Sequence, residues 1–170
     1  MSDEQNSKEA QGIEQKGKRD FMKTVGAGLG MAGLATLMGS QAMAADEVKQ
    51  RYIVVATHGG NDPNRAILAL LAALTALDKG FGSVHVWLTI DGADMAHKTK
   101  VGKIVSPIYK SFGTAEELIN KLKDKGATFG VCPPCADYMG ADGSNKIDFV
   151  EKQGADWLMK NIAGAAVVWL

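Results

Sequence analysis

Residues 126–135 of the chain read GATFGVCPPC, a short apolar run that leads directly into two cysteines separated by two prolines. The run at 127–131 is short and follows a glycine, which predicts a strand. Cys132 therefore lies just after the carboxyl end of a strand, and residues 136–139 can begin a helix. Because parallel α/β sheets place their ligand sites at this edge, we expect the chemistry of the protein at this cysteine pair.

Strand and helix patterns alternate along the rest of the chain. Further strands are predicted at 52–56, 84–90 and 165–170, where apolar residues run together. Helices are predicted at about 64–78, 114–125 and 147–161. The second of these helices opens at a capping box, with Thr114 as N-cap and Glu117 at the third helical position. Residues 93–113 are predicted to form a loop with a short helix. The alternation favours an α/β protein with a mainly parallel sheet covered by helices.

The overall composition excludes two classes of protein. The 170 residues include 19 basic and 19 acidic residues, so the net charge is zero, whereas a nucleic-acid binder is expected to be clearly basic. We therefore expect no nucleic-acid partner. No apolar run reaches the roughly 18–20 residues of a membrane span, so no stable span is predicted.

The first 44 residues predict a signal peptide. A polar segment ends at Lys18-Arg19, the apolar stretch 25–38 follows, and the small residues of Ala42-Met43-Ala44 form a cleavage pattern. Together with Phe21 and Lys23, the basic pair resembles a twin-arginine export signal in which lysine replaces the first arginine. We expect residues 1–44 to be removed, residues 45–170 to form the mature domain, and the protein to be periplasmic. The alternative is an uncleaved tail or tether.

The two cysteines are spaced for thiol chemistry. A thiol at the start of a helix has its thiolate stabilised by unpaired N–H groups and the helix dipole, which favours Cys132 as the nucleophile. Cys135 is close enough to attack a mixed disulfide or persulfide formed on Cys132. Three other interpretations stay open: half of a zinc site, a structural disulfide, and a thioredoxin-type redox motif. The motif follows the third strand rather than the first, which argues against a thioredoxin-like fold.

His58 is a further candidate for the site. It lies in the loop after the first strand, at the same predicted sheet edge as Cys132, where it could lower the thiol pKa or shuttle a proton. The alternative is a solvated surface residue. The other histidines, His85 and His97, are scattered in the sequence, so no metal is predicted. The glycine turn at 59–60 lacks nucleotide-binding spacing, so no cofactor is predicted.

The helix predicted at 64–78 is apolar nearly all the way round. A helix on the outside of a monomer should keep a polar face. Either the chain after Asp91 covers this helix, or the helix forms a subunit interface.

The segment 126–135 followed by Gly140, together with the strand at 52–56, the glycine-rich turn and the Ala/Leu helix after it, resembles the DsrE/DsrF-like family. The resemblance covers about residues 50–170, nearly all of the predicted mature chain. It implies a three-layer flavodoxin-like fold assembled as trimers or hexamers. It also implies sulfur relay through a cysteine persulfide, with Cys132 at the position of the family's sulfur-bearing cysteine. Some members have a second cysteine where Cys135 lies, and many have an arginine where this chain has Met139.

The sequence thus predicts an exported homo-oligomer that acts as a sulfur carrier or sulfurtransferase through a persulfide on Cys132. Its expected partners are sulfur donor and acceptor proteins or small sulfane-sulfur compounds. Two alternatives remain: a periplasmic thiol–disulfide oxidoreductase that uses Cys132 and Cys135, and a non-catalytic oligomeric binding subunit.

Overall fold

The structure is a computed structural model that describes residues 50–170. The predicted signal peptide at 1–44 and its cleavage site lie outside the described residues.

Five parallel strands form the sheet. They are β1 (Gln50–Ala56), β2 (Gly82–Leu88), β3 (Thr128–Val131), β4 (Val150–Lys152) and β5 (Ala165–Trp169), and their order across the sheet is β4-β3-β2-β1-β5. The α/β class with a parallel sheet is therefore confirmed. In the register of the central strands, Leu88 pairs with both Ala56 and Val131. The carboxyl ends of β1, β2 and β3 are consequently level, and the loops that follow them meet at one edge.

Four α-helices connect the strands: α1 (Pro63–Asp78), α2 (Ala115–Asp124), α3 (Pro133–Met139) and α4 (Ala155–Asn161). The Asp62 side chain caps α1 by accepting from the N–H of Arg65, and the predicted capping box of Thr114 and Glu117 is present at the start of α2. The segment predicted as a loop at 93–113, together with the three residues before it, contains three 3-10 turns, Ile90–Ala96, Val101–Lys103 and Lys110–Phe112. Among residues 50–170, no helix combines the length and hydrophobicity needed to cross a membrane.

The prediction of a helix at 147–161 is wrong for its first half, which contains the edge strand β4, and right for its second half, where α4 lies. Only Val150 of this strand is buried, since Glu151 and Lys152 are exposed. Three residues with one buried side chain are too few to show the alternation of a strand. Short, charged strands are typical of sheet edges, where they prevent pairing with another chain.

Helices cover both faces of the sheet, so the fold has three layers. The larger core lies between α1, α2 and the face that carries Val54, Val86 and Phe129. On the opposite face, Ile53, Val55 and Trp87 form a smaller core with Leu158 of α4.

The chain itself buries most of the apolar surface of α1. This helix packs against β1, β2 and α2, which belongs to the chain after Asp91. Its buried residues are Ala66, Ile67, Ala69, Leu70, Ala73, Leu74 and Ala76. Packing within one chain therefore accounts for the composition of the helix without a subunit interface.

His85 lies in the smaller core rather than at the functional edge. Its Nδ1 is 2.7 Å from the hydroxyl oxygen of Thr128, and its ring stacks at 4.1 Å on the ring of Trp157. Its Nε2 is buried without a hydrogen-bond partner. Burial lowers the pKa of His85 from 6.5 to about 4.

This lowered pKa predicts a loss of stability in mild acid. The unfolded chain takes up the proton below pH 6.5, whereas the folded protein resists it down to about pH 4. The unfolded state therefore binds more protons in this interval, so the free energy of unfolding decreases as the pH falls, by at most on the order of 3 kcal/mol. Urea unfolding at several pH values measures how steeply the free energy of unfolding depends on pH, and the control variant His85→Asn should show a weaker dependence. The same pH dependence in the two proteins would contradict the lowered pKa of His85.

Candidate thiol site

The chain turns from strand to helix at Cys132, as the sequence predicted. The N–H of Cys132 donates to the carbonyl of Leu88 at 2.9 Å and extends the pairing of β2 and β3 by one step. The carbonyl of Cys132 then accepts from the N–H of Ala136 at 2.9 Å, so Cys132 is the N-cap of α3. Backbone hydrogen bonds therefore hold the first cysteine at the carboxyl edge of the sheet.

The two sulfur atoms are neighbours but are not bonded covalently. Sγ of Cys135 is 2.8 Å from Sγ of Cys132 and donates a hydrogen bond to it. A disulfide bond would be about 2.05 Å long, so both residues are free thiols. Both are half-buried. They pack against opposite sides of the sheet, since Cys132 touches the smaller core and Cys135 the larger one.

Cys135 receives hydrogen bonds from the chain that follows β2. The N–H of Ile90 donates to its Sγ at 3.2 Å, and the hydroxyl oxygen of Thr89 lies 3.6 Å from the same sulfur. Ile90 has a φ of 54°, a conformation that is strained for a β-branched residue. Such strain is often found at functional sites, where the surrounding structure holds it in place. Here it accompanies an N–H group that points at the thiol.

The surroundings of the two thiols shift their pKa values in opposite directions. Burial raises the pKa of Cys135, but hydrogen bonds from Cys132, Thr89 and the N–H of Ile90 outweigh it, so the net pKa is lowered. Burial also raises the pKa of Cys132, and its hydrogen bond with Cys135 raises it further. Ionisation of Cys135 reverses the bond between the two sulfurs, because only Cys132 then carries a proton to donate.

The structure thus places the more easily ionised thiol at Cys135, whereas the sequence argument placed it at Cys132. That argument relied on unpaired N–H groups at the start of α3. The first two residues of this helix are Pro133 and Pro134, which have no N–H to offer. The side chain of Cys132 makes no capping hydrogen bond with the helix.

A small pocket opens beside Cys135. It has a volume of about 250 Å³ and is lined by Ile90, Asp91, Pro134, Cys135, Tyr138 and Met139. The carboxylate of Asp91 accepts a hydrogen bond from the side-chain amide of Asn61 at 2.8 Å. Cys132 is not among the lining residues, so only the second cysteine faces this pocket.

His58 lies after β1 at the same edge of the sheet, but its hydrogen-bond partners are not the cysteines. The hydroxyl of Thr57 donates to the carbonyl of Leu170 at 2.7 Å, so Nδ1–H of His58 donates to that hydroxyl at 2.9 Å. Nε2 of His58 accepts from the guanidinium of Arg65 at 3.3 Å. Both ring nitrogens are therefore occupied. Among the described residues, His58 forms no hydrogen bond with either thiol; it lines a separate cleft of about 350 Å³ that is formed by α1 and the carboxyl ends of β1 and β5.

The histidines do not gather around the cysteines. His85 is in the smaller core, and Nδ1 of His97 accepts from the N–H of Thr99. Within residues 50–170, no three His, Cys, Asp or Glu side chains come together in a group that could hold a metal ion.

Sequence reasoning missed Thr89 and Ile90. The available signal was their position after β2, beside the strand that leads into Cys132. Neither residue type suggests a catalytic role, and the positive φ of Ile90 cannot be inferred from its side chain. Asp94, which also lies in the segment after β2, forms an ion pair with Lys100 at 2.8 Å.

Comparison with known proteins identifies the family. The model of the DsrE/DsrF-like family matches residues 50–169, well over half of the chain, so the protein belongs to this family. Membership supports a role of the sulfur-relay type in general. No curated protein sequence is significantly similar to the chain.

Two solved structures share the fold. The YchN protein from E. coli is 18% identical, with a TM-score of 0.58, and the alignment covers 71% of this chain and 99% of that one. The protein of unknown function MTH1491 from Methanobacterium thermoautotrophicum is 14% identical, with a TM-score of 0.55 and the same two coverages. At these identities the likeness shows the fold alone.

The different surroundings of the thiols predict different ionisation behaviour. In Cys132→Ala, Cys135 keeps the hydrogen bonds from the N–H of Ile90 and the hydroxyl of Thr89. In Cys135→Ala, the largest effect on the remaining Cys132 is burial, which raises its pKa against the N–H of residue 135 and the hydroxyl of Thr89. The rate of alkylation by iodoacetamide should therefore rise at a lower pH in Cys132→Ala than in Cys135→Ala. Cys132→Ser restores a hydrogen-bond donor to Cys135 and should lower the pH midpoint of alkylation further than Cys132→Ala does. A lower pH midpoint in Cys135→Ala than in Cys132→Ala would contradict the assignment of the lower pKa to Cys135.

Proposed function

We propose that the protein accepts sulfane sulfur on the Cys132–Cys135 pair as a persulfide and passes it to an acceptor. The observation that carries this proposal is the pair of free, half-buried thiols 2.8 Å apart at the carboxyl edge of the sheet. Family membership supports the same role. The sequence analysis expects the persulfide on Cys132, and in this proposal Cys132 is the residue that presents the sulfur to the acceptor.

The chemistry is a transfer without net oxidation. A protein thiolate attacks the outer sulfur of a donor persulfide, R–S–SH. A new S–S bond forms on the protein, the donor's S–S bond breaks, and its electron pair leaves on the donor as RS⁻. An acceptor thiolate then attacks the outer sulfur of the protein persulfide, and the cysteine leaves as a thiolate.

We further propose that the protein works outside the cytoplasm as a homo-oligomer, a trimer or a hexamer. The signal-peptide pattern at 1–44 supports export, and the family resemblance supports assembly. Its partners would be sulfur donor and acceptor proteins or small sulfane-sulfur compounds.

A second candidate function is thiol–disulfide exchange. The short distance between the sulfurs favours it, because attack by one cysteine on a mixed disulfide at the other requires little movement. In that case the pair would cycle between dithiol and disulfide and would retain no added sulfur.

Incubation with inorganic polysulfide distinguishes these functions. Intact mass should show the wild-type protein gaining one or more sulfur atoms, which a reducing agent removes. Cys132→Ala/Cys135→Ala, compared with wild type by circular dichroism to confirm folding, should gain none. Loss of only the two thiol hydrogens, together with reduction of insulin, would instead support the oxidoreductase. No change in mass would refute both functions and leave the cysteines a structural role.

A further inference from the structure

We propose that Cys135 is the first acceptor of sulfur, that its donor is an uncharged, apolar sulfane compound, and that the sulfur then moves to Cys132. This inference rests on the proposed function and deepens it. It assigns the two cysteines consecutive roles and names a substrate class.

The first argument is access. Cys135 lines the pocket beside α3, whereas Cys132 does not. A donor that occupies this volume of about 250 Å³ therefore lies next to the sulfur of Cys135. Cys132 packs instead on the smaller core at the other side of the sheet.

The second argument is stabilisation of the attacking sulfur. The N–H of Ile90 points at Sγ of Cys135 from 3.2 Å and is available to its thiolate before and after the transfer. The backbone strain at Ile90 places this donor in advance, so no reorganisation is needed at the moment of reaction. For Cys132, Pro133 and Pro134 have no N–H to offer; the N–H of Cys135 and the hydroxyl of Thr89 lower the pKa of its thiol, but burial and the hydrogen bond with Cys135 outweigh them.

The third argument is charge. Among the described residues that line the pocket, Asp91 is the one charged side chain, and it is negative. The nearby cations are already paired: Lys100 with Asp94 and the carbonyl of Met139, and Lys152 with Asp137. An anionic donor would face a carboxylate without a compensating cation. The remaining lining of Ile90, Pro134, Tyr138 and Met139 suits an apolar molecule.

With elemental sulfur as the donor, the reaction balances in two steps. The Cys135 thiolate attacks one sulfur of the ring; an Sγ–S bond forms, one ring S–S bond breaks, and its electron pair stays on the far end of the opened chain. Sγ of Cys132, 2.8 Å from Sγ of Cys135, then attacks the first transferred sulfur. The bond to Cys135 breaks, and Cys135 recovers the electron pair and takes the proton that Cys132 gives up.

Sulfur loading of the single variants tests the order of transfer. The full-length protein, Cys132→Ser and Cys135→Ser are exposed to dispersed elemental sulfur, and intact mass is followed over time. Cys132→Ser should load at a rate near that of the wild type, and Cys135→Ser at least about tenfold more slowly. If wild type and Cys135→Ser load while Cys132→Ser does not, the order is overturned and the proposed function stands. If no form of the protein gains sulfur, the proposed function itself fails.

An isosteric substitution tests the substrate class. Asp91→Asn removes the charge while leaving an oxygen for the amide of Asn61. It should raise the rate of loading from thiosulfate, a dianion, relative to the rate from elemental sulfur. Asp124→Asn is the matched control, because this exposed carboxylate on α2 does not line the pocket and is not the partner of Lys100 or Lys152, and it should leave the ratio unchanged. Equal ratios in wild type and Asp91→Asn, or faster wild-type loading from thiosulfate than from elemental sulfur, would overturn the assignment of an uncharged donor.

Discussion

The hydrogen bonds that continue the sheet beyond its strand ends determine the geometry of the thiol site. The N–H of Cys132 donates to Leu88, the N–H of Thr89 donates to Ala56, and the N–H of Gly92 donates to Thr57. These bonds hold the chain after β2 between the chains that follow β1 and β3. Gly92 permits the close approach, because a Cβ at this position would lie 2.1 Å from the carbonyl oxygen of Ala56. The N–H of Ile90 reaches Cys135 only because this segment is held so tightly.

The pKa values of the two thiols differ because the backbone offers their sulfur atoms different N–H donors. Two consecutive prolines stiffen the start of α3 and remove two of the N–H groups that could stabilise a thiolate at the N-cap, so that only the N–H of Cys135 is left to Cys132 there. Cys135 lies one helical turn further on, against the strained peptide of Ile90 and the hydroxyl of Thr89. An arrangement in which one cysteine ionises readily and its neighbour retains a proton is suited to moving sulfur from the first to the second.

The fold determines where the chemistry occurs, and a small number of side chains determine what it can be. The likeness to structures less than 20% identical shows a shared scaffold, in which parallel strands end at one edge. In this chain that edge carries two separate regions. The cysteines and their pocket follow β2 and β3, whereas His58 and Arg65 line a cleft formed by α1 and the carboxyl ends of β1 and β5. A histidine close to Cys132 in the predicted topology thus has both ring nitrogens occupied by other partners.

The sequence alone determined the α/β class, four of the five strands, the capping box of α2 and the location of the cysteine pair at a strand–helix turn. These features follow from local patterns of hydrophobicity and hydrogen-bonding side chains, which need no distant partner. The tertiary structure alone revealed β4, because its three residues show no strand pattern of their own and are recognised as a strand only by their pairing with β3. It also determined which thiol has the lowered pKa, because Thr89 and Ile90 are more than forty residues from Cys135 in the chain. Their contacts with its sulfur depend on the pairing of β2 with β3, and a thiol pKa responds to neighbours in space rather than in sequence.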